Sequence, residues 1–221
     1  MFFIPFVIFL LTSVSYGSYV GFDVRHERGV SDHAISGISG ITNFTFTDNA
    51  AVSMRGLGAG FFAGYGNIVQ NIYMGVEAGI AANGVSGGKS VSVLNGINST
   101  STLSAHKDYT LSLVGRLGMP IRKALVYAKA GAMVARYRFV VAVDSLANGV
   151  DASYRWDRRL VHLVTGAGIE VDVLPSIRLG AEYMHVLGKT VRFSASSSSF
   201  ESLCQFSPSA DFVSIRLIFA L

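Results

Sequence analysis

The chain has 221 residues, 50% of them apolar and only 14% charged, with a formal net charge of +4 at pH 7. Soluble domains usually carry about 25% charged residues, so a surface wetted on all sides is disfavoured. The small, dispersed positive charge argues against nucleic-acid binding, and a single cysteine, Cys204, rules out a disulfide framework.

Met1 to Leu11 is almost wholly apolar, and Thr12 to Gly17 is small and polar. This predicts a secretory signal peptide over residues 1–17, cleaved after Gly17 or after Ser15, although its start lacks Lys and Arg. The stretch is shorter than the ~20 apolar residues of a membrane helix. No later run is long and apolar enough to span as a helix. Residues 18–221 contain no linker and no internal repeat, which predicts one domain.

Period-2 patterning predicts eight strands, at about 18–27, 52–64, 71–83, 106–118, 124–138, 158–173, 176–188 and 210–221. In the first, Val20, Phe22 and Val24 oppose Asp23 and Arg25. In the second, Gly56, Gly58 and Gly60 share a face, where they are expected to leave room for Tyr73 or Tyr127. In the third, Ile72, Met74, Val76, Ala78 and Ile80 oppose Glu77. The fourth sets Tyr109, Leu111, Leu113 and Leu117 against Arg116, and the fifth sets Val126 to Val134 against Lys129. The sixth sets Leu163 to Val171 against His162 and Glu170, and the seventh sets Ile177, Leu179, Ala181 and Tyr183 against Arg178 and Glu182. The eighth sets Val213, Ile215, Leu217, Phe219 and Leu221 against Ser214 and Arg216.

The connections alternate in length. Tyr65–Gln70, Met119–Lys123 and Leu174–Pro175 are short, whereas Val30–Ala50, Gly84–Ala105, Phe139–Asp157 and Lys189–Ser209 are long and loop-like in composition. Long loops at one end and tight turns at the other mark an outer-membrane barrel, with the long loops outside the cell. Alternation alone also fits a soluble barrel. The charged face favours the membrane barrel: its mid-strand charges are few and nearly balanced. Asp23, Glu77, Glu170 and Glu182 face Arg116, Lys129, Arg178 and Arg216 as a predicted lumen cluster, in a barrel just wide enough to be filled by side chains. Extending the opposite register toward the long-loop end places Arg55, Lys107, Arg136, Arg138, Arg159 and Lys189 outward at the rim. There they are expected to form a belt for lipid headgroups, including lipopolysaccharide phosphates, where a basic residue costs only ~0–1 kcal/mol.

Four phrases, Tyr73–Gly79 (YMGVEAG), Leu125–Gly131 (LVYAKAG), Gly166–Glu170 (GAGIE) and Ile177–Tyr183 (IRLGAEY), together with the terminal strand, resemble the eight-stranded outer-membrane barrel family of OmpA-like barrels and opacity-type surface antigens. Their order covers nearly all of the chain after the leader. The resemblance implies an all-β, eight-stranded, antiparallel up-and-down transmembrane barrel in the bacterial outer membrane. It also implies that the last strand, through Val213, Ile215, Leu217, Phe219 and Leu221, is read by the barrel-assembly machinery. The family commonly ends in Phe or Trp, whereas this chain ends in Leu221.

His106, Asp108 and nearby Ser104 invite a test for nucleophilic chemistry, but a strand end is an ordinary place for such residues, and no lipid-modifying motif matches. No metal-ligand spacing links the histidines. The expectation is a monomeric, non-enzymatic surface antigen, adhesin or envelope-structural barrel, without catalytic, cofactor or metal site, whose loops meet a host or other extracellular ligand. A narrow small-solute channel, a lipid-modifying enzyme on the same fold and a lipocalin-like carrier stand as alternatives.

Overall fold

The computed structural model describes residues 15–39, 44–94, 98–145, 150–188, 190–197 and 200–221. The leader expected over residues 1–17 lies largely outside them, and the first described strand starts at Ser15. The strands are β1 (Ser15–Ser39), β2 (Phe44–Val69), β3 (Ile72–Leu94), β4 (Asn98–Ile121), β5 (Ala124–Ser145), β6 (Val150–Leu174), β7 (Ile177–Leu187), β8 (Val191–Ser197) and β9 (Phe200–Ala220).

Eight of these form a closed antiparallel wall. Each of β1 to β7 pairs with its neighbour in sequence, β7 pairs with β9, and β9 pairs with β1. The closing ladder runs from Tyr19↔Ala220 to Ser39↔Phe200. The eighth predicted strand is thus the lower part of β9, and β8 is a short extra strand paired with the upper part of β9. Stepping across paired residues from Glu170 through Gly180, Arg216, Asp23, Gly60, Ala81, Thr110 and Ala135 returns to β6 at Leu160. The path comes back ten residues displaced (170 to 160), the stagger that tilts the strands and sets the barrel width.

The short turns are tight. Gln70 and Asn71 both take positive φ, 49° and 66°, between the paired Val69 and Ile72. That is the twist-matching geometry of a two-residue hairpin. At the other end the chain departs from the expected loops. The long connections continue as hydrogen-bonded arms in their described parts, because their alternating Val, Ser and Thr suit strands and inherit the wall's register. The arms divide into two sheets. Among the described residues, the pairing of β2 with β3 ends at Arg55↔Ser86, and that of β6 with β7 ends at Leu163↔Leu187. Beyond those rungs, β8-β9-β1-β2 form one four-stranded arm and β3-β4-β5-β6 the other.

The two faces of the wall differ as the parity requires. Outward lie Phe22, Val24, Leu57, Val76, Leu113, Leu163 and Ile215, all exposed, with Ile215 at 70%. Such a continuous apolar exterior on a closed sheet suits hydrocarbon, where an open edge would strand its backbone polar groups.

Candidate functional site

All eight residues of the predicted lumen cluster are buried inside the barrel, and most belong to one ion-pair network at the level of the lower wall. Arg116 on β4 donates to Tyr19 Oη at 2.7 Å and to Glu77 at 3.3 Å, and it also pairs with Glu170. Lys129 on β5 bridges Glu77 (2.6 Å) and Glu182 (2.5 Å). Arg216 on β9 bridges the same two carboxylates, at 2.5 and 2.6 Å, and donates to Tyr127 Oη at 2.9 Å. Arg178 joins from the turn end, 3.5 Å from Glu170 and 3.3 Å from Asp172. Asp23 stands apart, held by Arg25 at 2.6 Å.

Aromatic rings fill the space between the charges. The Arg116 guanidinium lies 3.9 Å from the Tyr127 ring centre, and that of Arg216 lies 3.9 Å from the Phe62 ring centre. Glycines opposite make the room. A Cβ on Gly64 would strike the Tyr19 ring, one on Gly66 the Tyr73 ring, and one on Gly168 the Tyr127 hydroxyl. These replace Gly56, Gly58 and Gly60 in the role expected for them; Gly60 instead clears Asp23 and Arg25.

Above the charged layer the lumen is apolar, a feature that parity alone did not reveal. Val52, Met54, Val85, Met133, Tyr137, Phe139, Val164, Met184, Val186 and Phe212 pack into one buried cluster. A cavity of only about 30 Å³, room for one or two waters, lies between the layers against Glu77, Lys129, Met133 and Arg216. Within the apolar layer sits a second ion pair. Lys107 Nζ on β4 donates to both carboxylate oxygens of Glu27 on β1, at 2.7 and 2.8 Å, with both side chains 1% exposed.

Lys107 therefore corrects the expected belt, because it points inward. The ladder shifts register between Ala82 and Val85 against β4, and between Lys107 and Thr110 against β5. A bulge adds one residue and reverses parity beyond it, so Arg116 and Lys107 face the lumen despite opposite numbering parity. Glu27 went unnoticed although it continues the inward series Asp23, Arg25.

Of the other belt residues, Arg55 and Arg159 are exposed, Arg136 and Arg138 are half-exposed, and all four lie on the outward parity. Lys189 lies outside the described residues. The band is not purely basic. Asp108 lies 3.2 Å from Arg138 and 3.8 Å from Arg136, and Asp157 lies 3.3 Å from Arg136. His106 approaches Asp108 at 3.3 Å, while Ser104 Oγ donates to the Val140 carbonyl at 3.4 Å. Ser104 and Asp108 of the candidate set thus contact β5, whereas His106 meets Asp108 on its own strand. In the terminal strand, Val213, Ile215, Leu217 and Leu221 are exposed outward, Phe219 is partly exposed on the same parity, and Arg216 faces the lumen.

The model of the OmpA-like transmembrane domain matches residues 17–218 of this chain. The chain belongs to that family. It is a bacterial outer-membrane β-barrel, with its apolar exterior against lipid and its arms at the extracellular end. This OmpA-like barrel is similar in fold to Neisserial surface protein A, at 14% identity and a TM-score of 0.38, over 91% of this chain and 99% of that one. It is also similar to Ail of Yersinia pestis, solved with the heparin analogue sucrose octasulfate, at 13% identity and a TM-score of 0.32, over 89% and 99%. A third is the outer membrane protease OmpT of Escherichia coli, at 8% identity and a TM-score of 0.35, over 95% and 99%. No curated protein matches the chain.

Proposed function

We propose that this barrel is a non-conducting, non-enzymatic surface protein, a monomer that anchors two β-arms outside the cell to meet a host or other extracellular ligand. The observation that carries this reading is the filled lumen. The crossed ion-pair layer and the apolar layer above it leave a void of about 30 Å³ between them. A solute path would have to break several buried ion pairs at once. The wall serves as an anchor and the arms as the part that recognition can reach. Residues 1–17 are removed as a signal peptide in this reading, and the assembly machinery recognises β9 through the outward Val213, Ile215, Leu217, Phe219 and Leu221.

Planar-bilayer recording tests the central claim. The purified, folded barrel is expected to give no single-channel steps in molar salt. Regular steps carried by the native chain would establish the narrow-channel alternative instead.

A further inference from the structure

The two β-arms are amphipathic in the opposite sense to the wall beneath them. Above the last β2–β3 rung, Arg55↔Ser86, the outward face turns polar, and Ser53, Ser90, Ser153 and Arg155 are exposed on it. The inner parity turns apolar. On one arm the register carries it up β9 through Pro208, Phe206 and Cys204, with Phe193 of β8 paired to Cys204 and Phe46 on β2. On the other arm it runs through Phe139 and Val141 on β5, whose ladder partners are Trp156 and Tyr154 on β6. Among the described residues, the formal charges on this parity above the rung are Asp48 and Lys89, on β2 and β3, strands that border the arms. A contiguous apolar face of this kind, held outside the membrane, marks a surface that is covered.

The bases of the arms indicate what covers it. Val52 lies beyond Arg55 on β2 and is 1% exposed, and its row runs through Ser31 to the buried Pro208 on β9. On the other arm Phe139 sits one rung beyond Ser86, in the row Gly87–Ala105–Phe139, and is 3% exposed. Val52 and Phe139 belong to one packed cluster, with Met54, Val85 and Tyr137, and Trp156 packs against it. The backbones also meet. A Cβ added to Gly87 on β3 would stand 2.2 Å from the Ser53 carbonyl oxygen and 2.9 Å from Met54 Cα on β2. The arms therefore touch at their bases and share an apolar cluster there, and their inner faces continue that cluster upward. Two antiparallel sheets with apolar inner faces and polar outer faces are the halves of a β-sandwich, whose sheets pack about 10 Å apart.

We propose that the two arms close face to face into a sandwich head, each arm's inner face being the docking surface for the other. The proposal rests on the reading of the arms as the extracellular recognition part. It adds that a ligand meets their polar outer faces and borders, because the apolar cleft between them is shut. Cys204, the single cysteine of the chain, falls on the inner parity of β9, and its neighbour Gln205 falls on the outer. The test compares maleimide labelling of Cys204 in the folded full chain with that of Gln205→Cys in a Cys204→Ser background. Each rate is divided by that of the same chain unfolded in urea, which removes differences in intrinsic thiol reactivity. Cys204 is expected to react about a hundredfold more slowly. Tyr154→Asp, on the inner parity of the opposite arm, is expected to speed Cys204 labelling by about tenfold or more, and Ser153→Asp, on that arm's outer parity, to leave it unchanged. Equal rates for the two thiols, or no response to Tyr154→Asp, overturns the sandwich. Protection that disappears once bound lipid is stripped overturns it in favour of a lipid in the cleft, and protection that falls on dilution overturns it in favour of a second copy. Heat-modifiable gel migration reports the folding of each variant. If Tyr154→Asp does not fold, Val141→Ser on the same inner row takes its place. The extracellular reading fails separately, if a membrane-impermeant maleimide does not label Gln205→Cys on intact cells.

Discussion

At the residue scale, the interior holds carboxylates and cations that are individually expensive and collectively satisfied. Glu77 touches Arg116, Lys129 and Arg216, so its loss leaves three cations facing a reduced set of acids. The simpler case is Glu27 with Lys107, a two-membered pair buried at the level of the apolar layer. Breaking a buried pair from one side typically costs ~3–5 kcal/mol, whereas replacing both partners by apolar residues of similar size is often neutral or stabilising. Lys107→Met is therefore expected to lower the stability of the barrel in lipid vesicles by roughly that amount, read from urea unfolding. Adding Glu27→Met should restore most of it. If the double variant is as unstable as Lys107→Met, the penalty does not come from an orphaned carboxylate.

Which way each of these side chains points was largely legible in the sequence. Glu77, Lys129, Glu170, Glu182 and Arg216 fall on one parity of their strands, and parity holds wherever the ladder is regular. It fails at Lys107 because a bulge is an event between strands. β4 takes three residues from Lys107 to Thr110 where β5 takes two from Tyr137 to Ala135; that mismatch is a property of the ladder, and no local signal in β4 announces it.

At the element scale, β9 shows what the alternation achieves. It closes the wall between β7 and β1, carries Arg216 inward to Glu77 and Glu182, and leaves Ile215 exposed outward. Two adjacent residues thus stand in opposite solvents, and the same charge has opposite consequences at each. Ile215→Arg is expected to destabilise the folded barrel by ~2–4 kcal/mol, the cost of a cation near the middle of the lipid-facing band. Val30→Arg, on the outward face above the Arg28 rung, should cost no more than about 1 kcal/mol. Equal losses at the two positions, measured by denaturant titration in vesicles, would contradict the assigned membrane depth.

At the scale of the whole molecule, the charged lumen layer lies within the ladder closed on all sides, whereas the apolar layer also draws Val52, Met54 and Leu160 from the bases of the two sheets that continue beyond the last β2–β3 and β6–β7 rungs. The wall should therefore fold without the ends of its arms. Replacing residues 90–102 by a two-residue Asn-Gly turn, which suits a tight hairpin, is expected to leave heat-modifiable migration intact. Loss of that migration would mean that the arm contributes to closing the barrel.

The sequence by itself determined the strand count of the wall, the short turns, the eight mid-strand charges that face inward and the outer-membrane location. All of these follow from local alternation, from the spacing of turns and from a composition too poor in charge for water. Only the tertiary structure decided that the long connections join into two arms, that the upper lumen is apolar, that Lys107 turns inward to Glu27 and that Arg28 meets Arg55. Each of those depends on the register between strands distant along the chain. Closure of the barrel fixes that register, and the pattern within any single strand does not carry it.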